Sequence, residues 1–336
     1  MTDPADLDRP AGASTVAPPR SVAGPGVIPA PGRHAGRPPS APPQRLALRH
    51  RLAERGVDRT LLLLLPGILF LVLLFLYPFG YGLGLSFQPR KGGSPLSNYH
   101  TFLTDPYLRN TILITLKIGV PAALLNVLAS VPMAYRMRRQ RRGRRLITTL
   151  LVIPITLGTV MTAQGILDYL GPQGWVNRVL RALHIVDHPV TMIHNYWGVM
   201  LSLVISGFPF AFLLTLAYLS GIDPSLEQAA ATLGAGWFRR FRHISFPLLA
   251  PGLAMTFCLT FVLAFSVFPS AVLVGDPQGT THVISIAAVS AAQEQFDYSM
   301  ASTIAMIMAF VMLLVVAIVL VLRTLLYRGS TSGGKG

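Results

Sequence analysis

Six stretches of this chain are almost unbroken in apolar residues, and the polar residues fall between them in blocks. The stretches run at about 60–85, 111–135, 146–170, 196–220, 248–274 and 300–327. Each is close to the roughly 20 residues that carry an α-helix across a bilayer core. The pattern predicts an all-α transmembrane fold of six helices, with a further short helix over 175–183 in the polar interval between the third and fourth. Residues 1–44 carry Pro, Ala, Gly and Arg without periodicity and cannot bury enough surface to offset their ordering entropy. With Arg45, Arg49, Arg51, Arg55 and Arg59 they predict a disordered basic tail over 1–59 that approaches anionic membrane lipid. The helical body is expected over 60–327 and a short tail over 328–336.

Composition supports the membrane reading. Of 336 residues 52% are hydrophobic and 12% charged, against about 25% charged in soluble domains. The formal net charge of +15 suggests a nucleic-acid partner at first sight. The basic residues, however, sit in short segments between apolar runs, so no nucleic-acid partner is expected. Arg136, Arg138, Arg139, Arg141, Arg142, Arg144 and Arg145 crowd between the second and third stretches. The positive-inside rule places them in the cytoplasm. Both termini and the interval 221–247 then lie on the same side, and the loops at 86–110, 171–195 and 275–299 on the other. The single cysteine, Cys258, lies within an apolar stretch and cannot form an intrachain disulfide.

The interval between the fourth and fifth stretches reads DPSLEQAAATLGAGWFRRFRHISFPLLAPG from Asp223 to Gly252. Asp223 suits an N-cap and Pro224 the first helical position. Leu226, Ala229, Ala230 and Leu233 follow at i, i+3, i+4 and i+7, one narrow apolar face of mostly small residues. Gly234 stands where a left-handed residue ends a helix. Trp237, Phe238 and Phe241 then interleave with Arg239, Arg240 and Arg242, and Pro247 opens the next apolar run. A short helix with alanines on its face lets a partner protein approach closely. An ordinary amphipathic interfacial helix with snorkelling arginines is the competing reading.

The spacing of Ala229, Ala230, Gly234, Ile244 and Pro247 resembles the EAA signature of permease subunits from binding-protein-dependent ABC importers, which favours docking. That signature is Glu-Ala-Ala, three residues, Gly, nine residues, then Ile-x-Leu-Pro. Two positions depart from it: Gln228 stands in place of the glutamate, with Glu227 one residue earlier, and Phe246 in place of the leucine. The resemblance covers roughly 60–327 and implies a type I (MetI-like) permease in a prokaryotic cell membrane. It implies a coupling helix seated on a dimer of ABC ATPase subunits through Glu227, Gln228, Ala229, Ala230, Leu233, Gly234, Ile244 and Pro247. It also implies a second permease subunit, expected to be a different chain, and an extracellular solute-binding protein.

The remaining chemistry is sparse. There is no GxxxxGK[ST] phosphate loop and no GxSxG elbow, so this chain is not expected to hydrolyse ATP or to act as an enzyme. No cofactor is expected. His184, His188, His194 and Asp187 share one loop, but Pro189 leaves His194 unfixed relative to the others, and solvated histidines rather than a metal site are expected. Polar residues inside apolar spans usually face a bundle interior or a water cavity. Lys117, Asn126, Gln164 and Asp168 stand out; Gln164 and Asp168 are candidates for the solute pathway, with an interfacial cap the alternative for Asp168. Pro209 in Ser206–Phe210 and the similar run Phe265–Pro269 predict breaks in the fourth and fifth helices. Paired breaks favour a shared pathway, which adds Pro209, Phe265 and Ser266 to the candidates.

The segment from Phe265 to Ala305 resembles permeases of the spermidine/putrescine type more than sugar-type ones; that branch also includes phosphonate and ferric-iron systems, and phosphonate, ferric iron or sugar are the alternative solutes. A polyamine is the expected solute, and Asp276, Glu294 and Asp297 in a loop without Lys or Arg suit a cation. A surface matched to the binding protein is the favoured reading of these three. An ion-coupled secondary transporter is the rival class, but no internal symmetry supports it.

Overall fold

The computed structural model describes residues 59–90, 92–139 and 143–326. The basic tail and the C-terminal tail expected from the sequence lie outside the described residues. The described residues from Leu65 onward fall in one compact unit. Among the described residues six helices are long and apolar enough to cross a membrane.

The first span is α1 (Arg59–Leu71), one π-helical segment at Val72–Leu76, and α2 (Tyr77–Ser86). A short α3 (Ser97–Thr104) precedes the long α4 (Pro106–Arg139). Next come α5 (Arg144–Leu170), α6 (Trp175–Ala182) and α7 (Tyr196–Ser220). The interval that carries the signature folds as α8 (Pro224–Thr232), α9 (Trp237–Arg240) and a π turn at Phe241–Ser245 leading into α10 (Phe246–Phe265). The chain ends with α11 (Pro269–Leu273), α12 (Ile284–Gln293) and α13 (Tyr298–Leu326).

The third and fourth spans begin and end close to where apolar patterning places them. The fifth does not. The apolar stretch continues to 274, but α10 stops at Phe265 and the chain restarts at Pro269, within the run that predicts a break. The Ser266 hydroxyl donates to Val262 O at 3.0 Å, and proline has no N–H to continue the ladder. Two helices escaped the patterning: α3 is mostly polar, and α12 is apolar but only 10 residues long, too short to cross a bilayer.

The packing centre is α4, α7 and α10. Small residues at their crossings, Ala122, Ala123, Ala134, Ala211 and Ala264, let the backbones approach, and Phe102, Phe212, Phe261 and Phe265 fill the intervals. A Cβ at Gly119 would lie 3.5 Å from the Phe265 backbone, which shows how closely α4 and α10 cross. Buried hydroxyl pairs, Ser130–Thr215 and Ser202–Ser270 at 2.8 Å each, add contacts between helices with no hydrophobic drive of their own in lipid. By contrast the window of the first span is wholly unburied, and Leu64 to Leu76 are exposed.

Candidate functional site

The helix α8 forms as its sequence dictates. The Asp223 carboxylate accepts from Ser225 N at 2.8 Å, and this hydrogen bond to the backbone holds its pKa below the usual carboxylate value. At the other end Gly234 has φ +78°, Gly234 N donates to Ala231 O and Ala235 N to Ala230 O, both at 3.0 Å. That pair of bonds is a Schellman cap, which the glycine permits at no steric cost.

The two faces of α8 have opposite fates. Leu226, Ala229 and Leu233 are exposed, Leu233 to 88%, and no part of the described chain covers them. Gln228 is also exposed, Ala230 and Ile244 are half-buried, and Pro247 is exposed. Glu227 points the other way and is 6% exposed. Its carboxylate meets Arg138 Nη1 at 3.1 Å, Tyr135 Oη at 3.1 Å and Ser245 Oγ at 2.5 Å. Arg138 also donates to Ile222 O. Tyr135 and Arg138 lie one turn apart on α4, and Ser245 closes the π turn before α10. Trp237 and Phe241 pack edge-on against Tyr135, with ring centroids 5.9 and 5.0 Å away. Glu227 therefore ties α8 to two helices of its own bundle. Glu227, which the resemblance places among the coupling residues, is thus turned away from the exposed face of α8.

A second site lies about half-way along α5 and α7. Two interruptions of helical geometry meet there, beside Pro209 of α7, which runs unbroken through the position where the sequence predicts a break. Within α5 the residue Gly158 has φ +73° and ψ 178°, outside the helical region. In α7, Pro209 offers no N–H to Ile205 O, and α10 ends at Phe265. Between them is a cavity of about 200 Å³ lined by Thr159, Ser206, Gly207, Thr260, Ser266, Pro269 and apolar side chains. The two proline-containing runs that the sequence pairs thus do face one space.

The other pathway candidates divide. Ser266 lines the cavity, Pro209 is buried beside it, and Phe265 is fully buried in the core against Phe261 and Ile304. Gln164 and Asp168 find each other, Nε2 to Oδ1 at 3.2 Å, but at the end of α5. Asp168 borders a separate open hollow with Trp175 and Arg178. Lys117 lies in a third hollow with Asn110 and Tyr196. The Gly158 break was invisible in the sequence, since isolated glycines in apolar spans usually serve packing.

The carboxylates of the 275–299 interval are engaged locally. Asp276 Oδ2 accepts from Thr280 N at 2.9 Å, Glu294 from Ser290 Oγ at 2.6 Å, and Asp297 from Met300 N at 2.9 Å. They shape turns and cap α13, each through one of its two carboxylate oxygens.

Six membrane-length helices, with an exposed short helix held between the fourth and fifth, define a multi-pass membrane protein of the ABC permease fold. Residues 60–331 match the family of binding-protein-dependent transport system inner membrane components, and the chain belongs to it. A probable sulfate transport system permease from Prototheca wickerhamii is 29% identical over 61% of this chain and 79% of its own. A trehalose/maltose transport system permease from Thermococcus litoralis is 29% identical over 81% of this chain and 94% of its own. The spermidine/putrescine permease of Haemophilus influenzae is 28% identical over 57% and 70%. These relatives do not single out the polyamine branch. A solved bacterial alginate ABC transporter contains a chain of the same fold, with TM-score 0.67 and 21% identity over 80% of this chain and 95% of that one.

Proposed function

We propose that this chain is the translocation subunit of an ATP-driven importer, with α8 as the helix that receives force from a separate ATPase dimer. The observation that carries the reading is the division of α8. Leu226, Ala229 and Leu233 present an uncovered apolar face, while Glu227 locks the opposite side to α4 and the start of α10. A push on α8 must therefore move both helices, and α7 and α10 border the cavity. The α8 end of the bundle, which also carries Arg136 and Arg138, faces the cytoplasm, as do both termini. An extracellular binding protein delivers solute to the opposite end, and a second permease, a different chain in this reading, completes the pathway. The uncovered first span suits that second subunit or lipid.

The polyamine solute suggested by the segment from Phe265 to Ala305 rests on that resemblance alone, since Asp276, Glu294 and Asp297 each have a local role in a turn or cap.

The test is purification of the tagged full chain in mild detergent with identification of what accompanies it. Recovery of an ATPase bearing a phosphate-loop motif, together with a second permease, is the expected result. A folded chain that purifies alone and binds no ATPase overturns the docking role of α8.

A further inference from the structure

The helix α6 lies at the end of the bundle opposite α8, and its side chains have separate fates. Asn177 is fully buried and clamps the helix from within. Its Nδ2 donates to Gly171 O at 2.9 Å and to Val190 O at 3.0 Å, and its Oδ1 accepts from Val190 N at 2.9 Å. These bonds fix α6 both to the end of α5 and to the chain that leads into α7. Trp175, Val179 and Leu183 recur at every fourth position and are each more than half exposed, one apolar stripe. Arg178 and Arg181 flank that stripe and are also exposed. An apolar stripe bordered by arginines is the pattern of a helix lying in the plane of a membrane surface. The neighbouring spans set the same depth. Tyr169 in the last turn of α5 and Trp197 in the first turn of α7 are both exposed, as aromatic side chains are at the rim of a bilayer.

A hollow of about 600 Å³ opens between α6 and the end of α5, lined by Asp168, Gln173, Trp175 and Arg178 among others. It carries opposite charges that do not meet: among the described residues no ion pair joins Asp168 to Arg178. Each keeps capacity in reserve. Asp168 Oδ1 accepts from Gln164 Nε2 at 3.2 Å, which leaves Oδ2, and Arg178 Nε donates to Gln173 O at 2.9 Å, which leaves both terminal nitrogens. The guanidinium also stands over the Trp175 ring, 6.0 Å from its centroid. A group that is only anionic meets repulsion from Asp168, and one that is only cationic meets it from Arg178. A zwitterion satisfies both, with a phosphate on the guanidinium fork and an ammonium on the carboxylate. The apolar stripe beside the hollow adds a second condition, that this zwitterion arrive with hydrocarbon attached.

We propose that α6 and this hollow form a phospholipid site for a phosphoethanolamine head, its phosphate on Arg178 and its ammonium on Asp168, with Trp175, Val179 and Leu183 set among the acyl chains. Asp168 then serves lipid rather than solute. The site stands independently of the importer reading, and the orientation proposed above makes its leaflet the outer one. By holding α6, the lipid fixes the end of α5, the helix that breaks at Gly158.

The experiment places the full-length protein, with whatever accompanies it, in nanodiscs of equal parts phosphatidylethanolamine and phosphatidylglycerol. Lipid retained on release is counted by native mass spectrometry. Phosphatidylethanolamine should be retained above phosphatidylglycerol. Arg178→Gln should weaken retention of both roughly tenfold, the weight of one charged hydrogen bond, and Asp168→Asn should remove the preference between them. Arg181→Gln, whose side chain does not border the hollow, should change neither. Glycerophosphoethanolamine, the same head without acyl chains, should fail to compete at matched concentration. The stripe has its own readout: acyl chains brominated near the head should quench tryptophan fluorescence, and Trp175→Phe should remove part of that quenching. Equal retention of the two lipids, retention unchanged in both hollow variants, or effective competition by glycerophosphoethanolamine overturns the proposal. Quenching that Trp175→Phe leaves unchanged overturns it too, because a protein partner then covers α6. Co-purification of an ATPase, scored on the same preparations, tests the importer reading separately.

Discussion

The Glu227 carboxylate and the Arg138 guanidinium meet at 3.1 Å across 89 residues of sequence, with both side chains close to fully buried. One joins the docking helix and the other the cytoplasm-facing end of α4 in the proposed orientation. Tyr135 and Ser245 saturate the same carboxylate, so the charge is satisfied from three directions. A buried pair of this kind adds little net stability against an apolar replacement, but breaking it leaves one charge stranded.

The first prediction follows from that asymmetry. Glu227→Leu alone strands Arg138 and should destabilise the protein by about 3–5 kcal/mol. Adding Arg138→Met should recover most of that loss, because no charge is left buried. Transport should not return, since the hydrogen-bonded link from α8 to α4 and Ser245 is gone. Melting curves in detergent, read beside ATP-driven uptake, separate the two effects. Wild-type uptake in the double variant shows that the pair is only structural.

The exposed face of α8 predicts the reverse combination. Leu233→Asp changes a side chain that touches almost nothing in this chain, so stability should stay within about 0.5 kcal/mol. If Leu233 anchors an interface, its loss costs the complex about 2 kcal/mol, roughly thirtyfold in affinity. Pull-down of the ATPase by the variant is the measurement. Undiminished recovery with Leu233→Asp and Leu226→Asp together places the docking surface elsewhere.

Much of this architecture was legible in the sequence because membrane spans advertise themselves by length and apolarity. Asp223, Pro224 and Gly234 likewise announce the ends of α8, and each does its expected local work. The direction in which Glu227 points was not legible. Its neighbours Tyr135, Arg138 and Ser245 come from distant or differently phased segments, and the π turn at Phe241–Ser245 that brings in Ser245 has no sequence signal. Phe265 misled for a related reason: it adjoins a helix break, yet its ring packs into the core while its neighbour Ser266 meets the cavity. Asn126 was noticed only as a polar residue in an apolar span, and its closeness to Gly207, where a Cβ would stand 2.4 Å from Asn126 Nδ2, needed three dimensions.

Gly234 allows a graded test of the cap. Nothing lies within 4 Å of a Cβ built there, so only its left-handed backbone resists substitution. Gly234→Asn should be mild, since asparagine tolerates that region, whereas Gly234→Val should cost about 1–2 kcal/mol locally. Uptake normalised to membrane abundance should therefore fall in the order glycine, asparagine, valine. Equal activity of all three shows that the Schellman cap does not set the position of α8.

Asp223 predicts a pH response with a definite sign. Its carboxyl is held below its ordinary value by the Ser225 hydrogen bond, so its charged form stabilises the fold. That contribution is complete above the unfolded value, about 3.9, and is lost as pH falls through the lower folded value. Between pH 6 and 8 Asp223 should contribute no pH dependence. The protection of the Ser225 amide, its exchange rate taken relative to the intrinsic rate at each pH, should fall only at the acid end between pH 7 and pH 3, and Asp223→Asn should abolish that fall.

Gly158 gives the strongest separation of transport from assembly. Its φ of +73° with ψ of 178° belongs to a region that only glycine enters readily, and no neighbour lies within 4 Å of a Cβ built there. Substitution by alanine therefore acts through the backbone alone, at about 1–3 kcal/mol if the break is retained. The chain can escape that cost by straightening α5, which carries Thr159 away from Ser206 and Ser266. Either response leaves α8 and its link to Arg138 untouched. Gly158→Ala should thus insert, bind the ATPase normally and lose most uptake. Gly165→Ala is the control: it lies two turns further along α5, with a helical backbone, open space at its Cβ and no place at the cavity. It should be neutral or slightly stabilising. Equal uptake by the two variants means that the break in α5 is a packing detail, and that solute passes without its help.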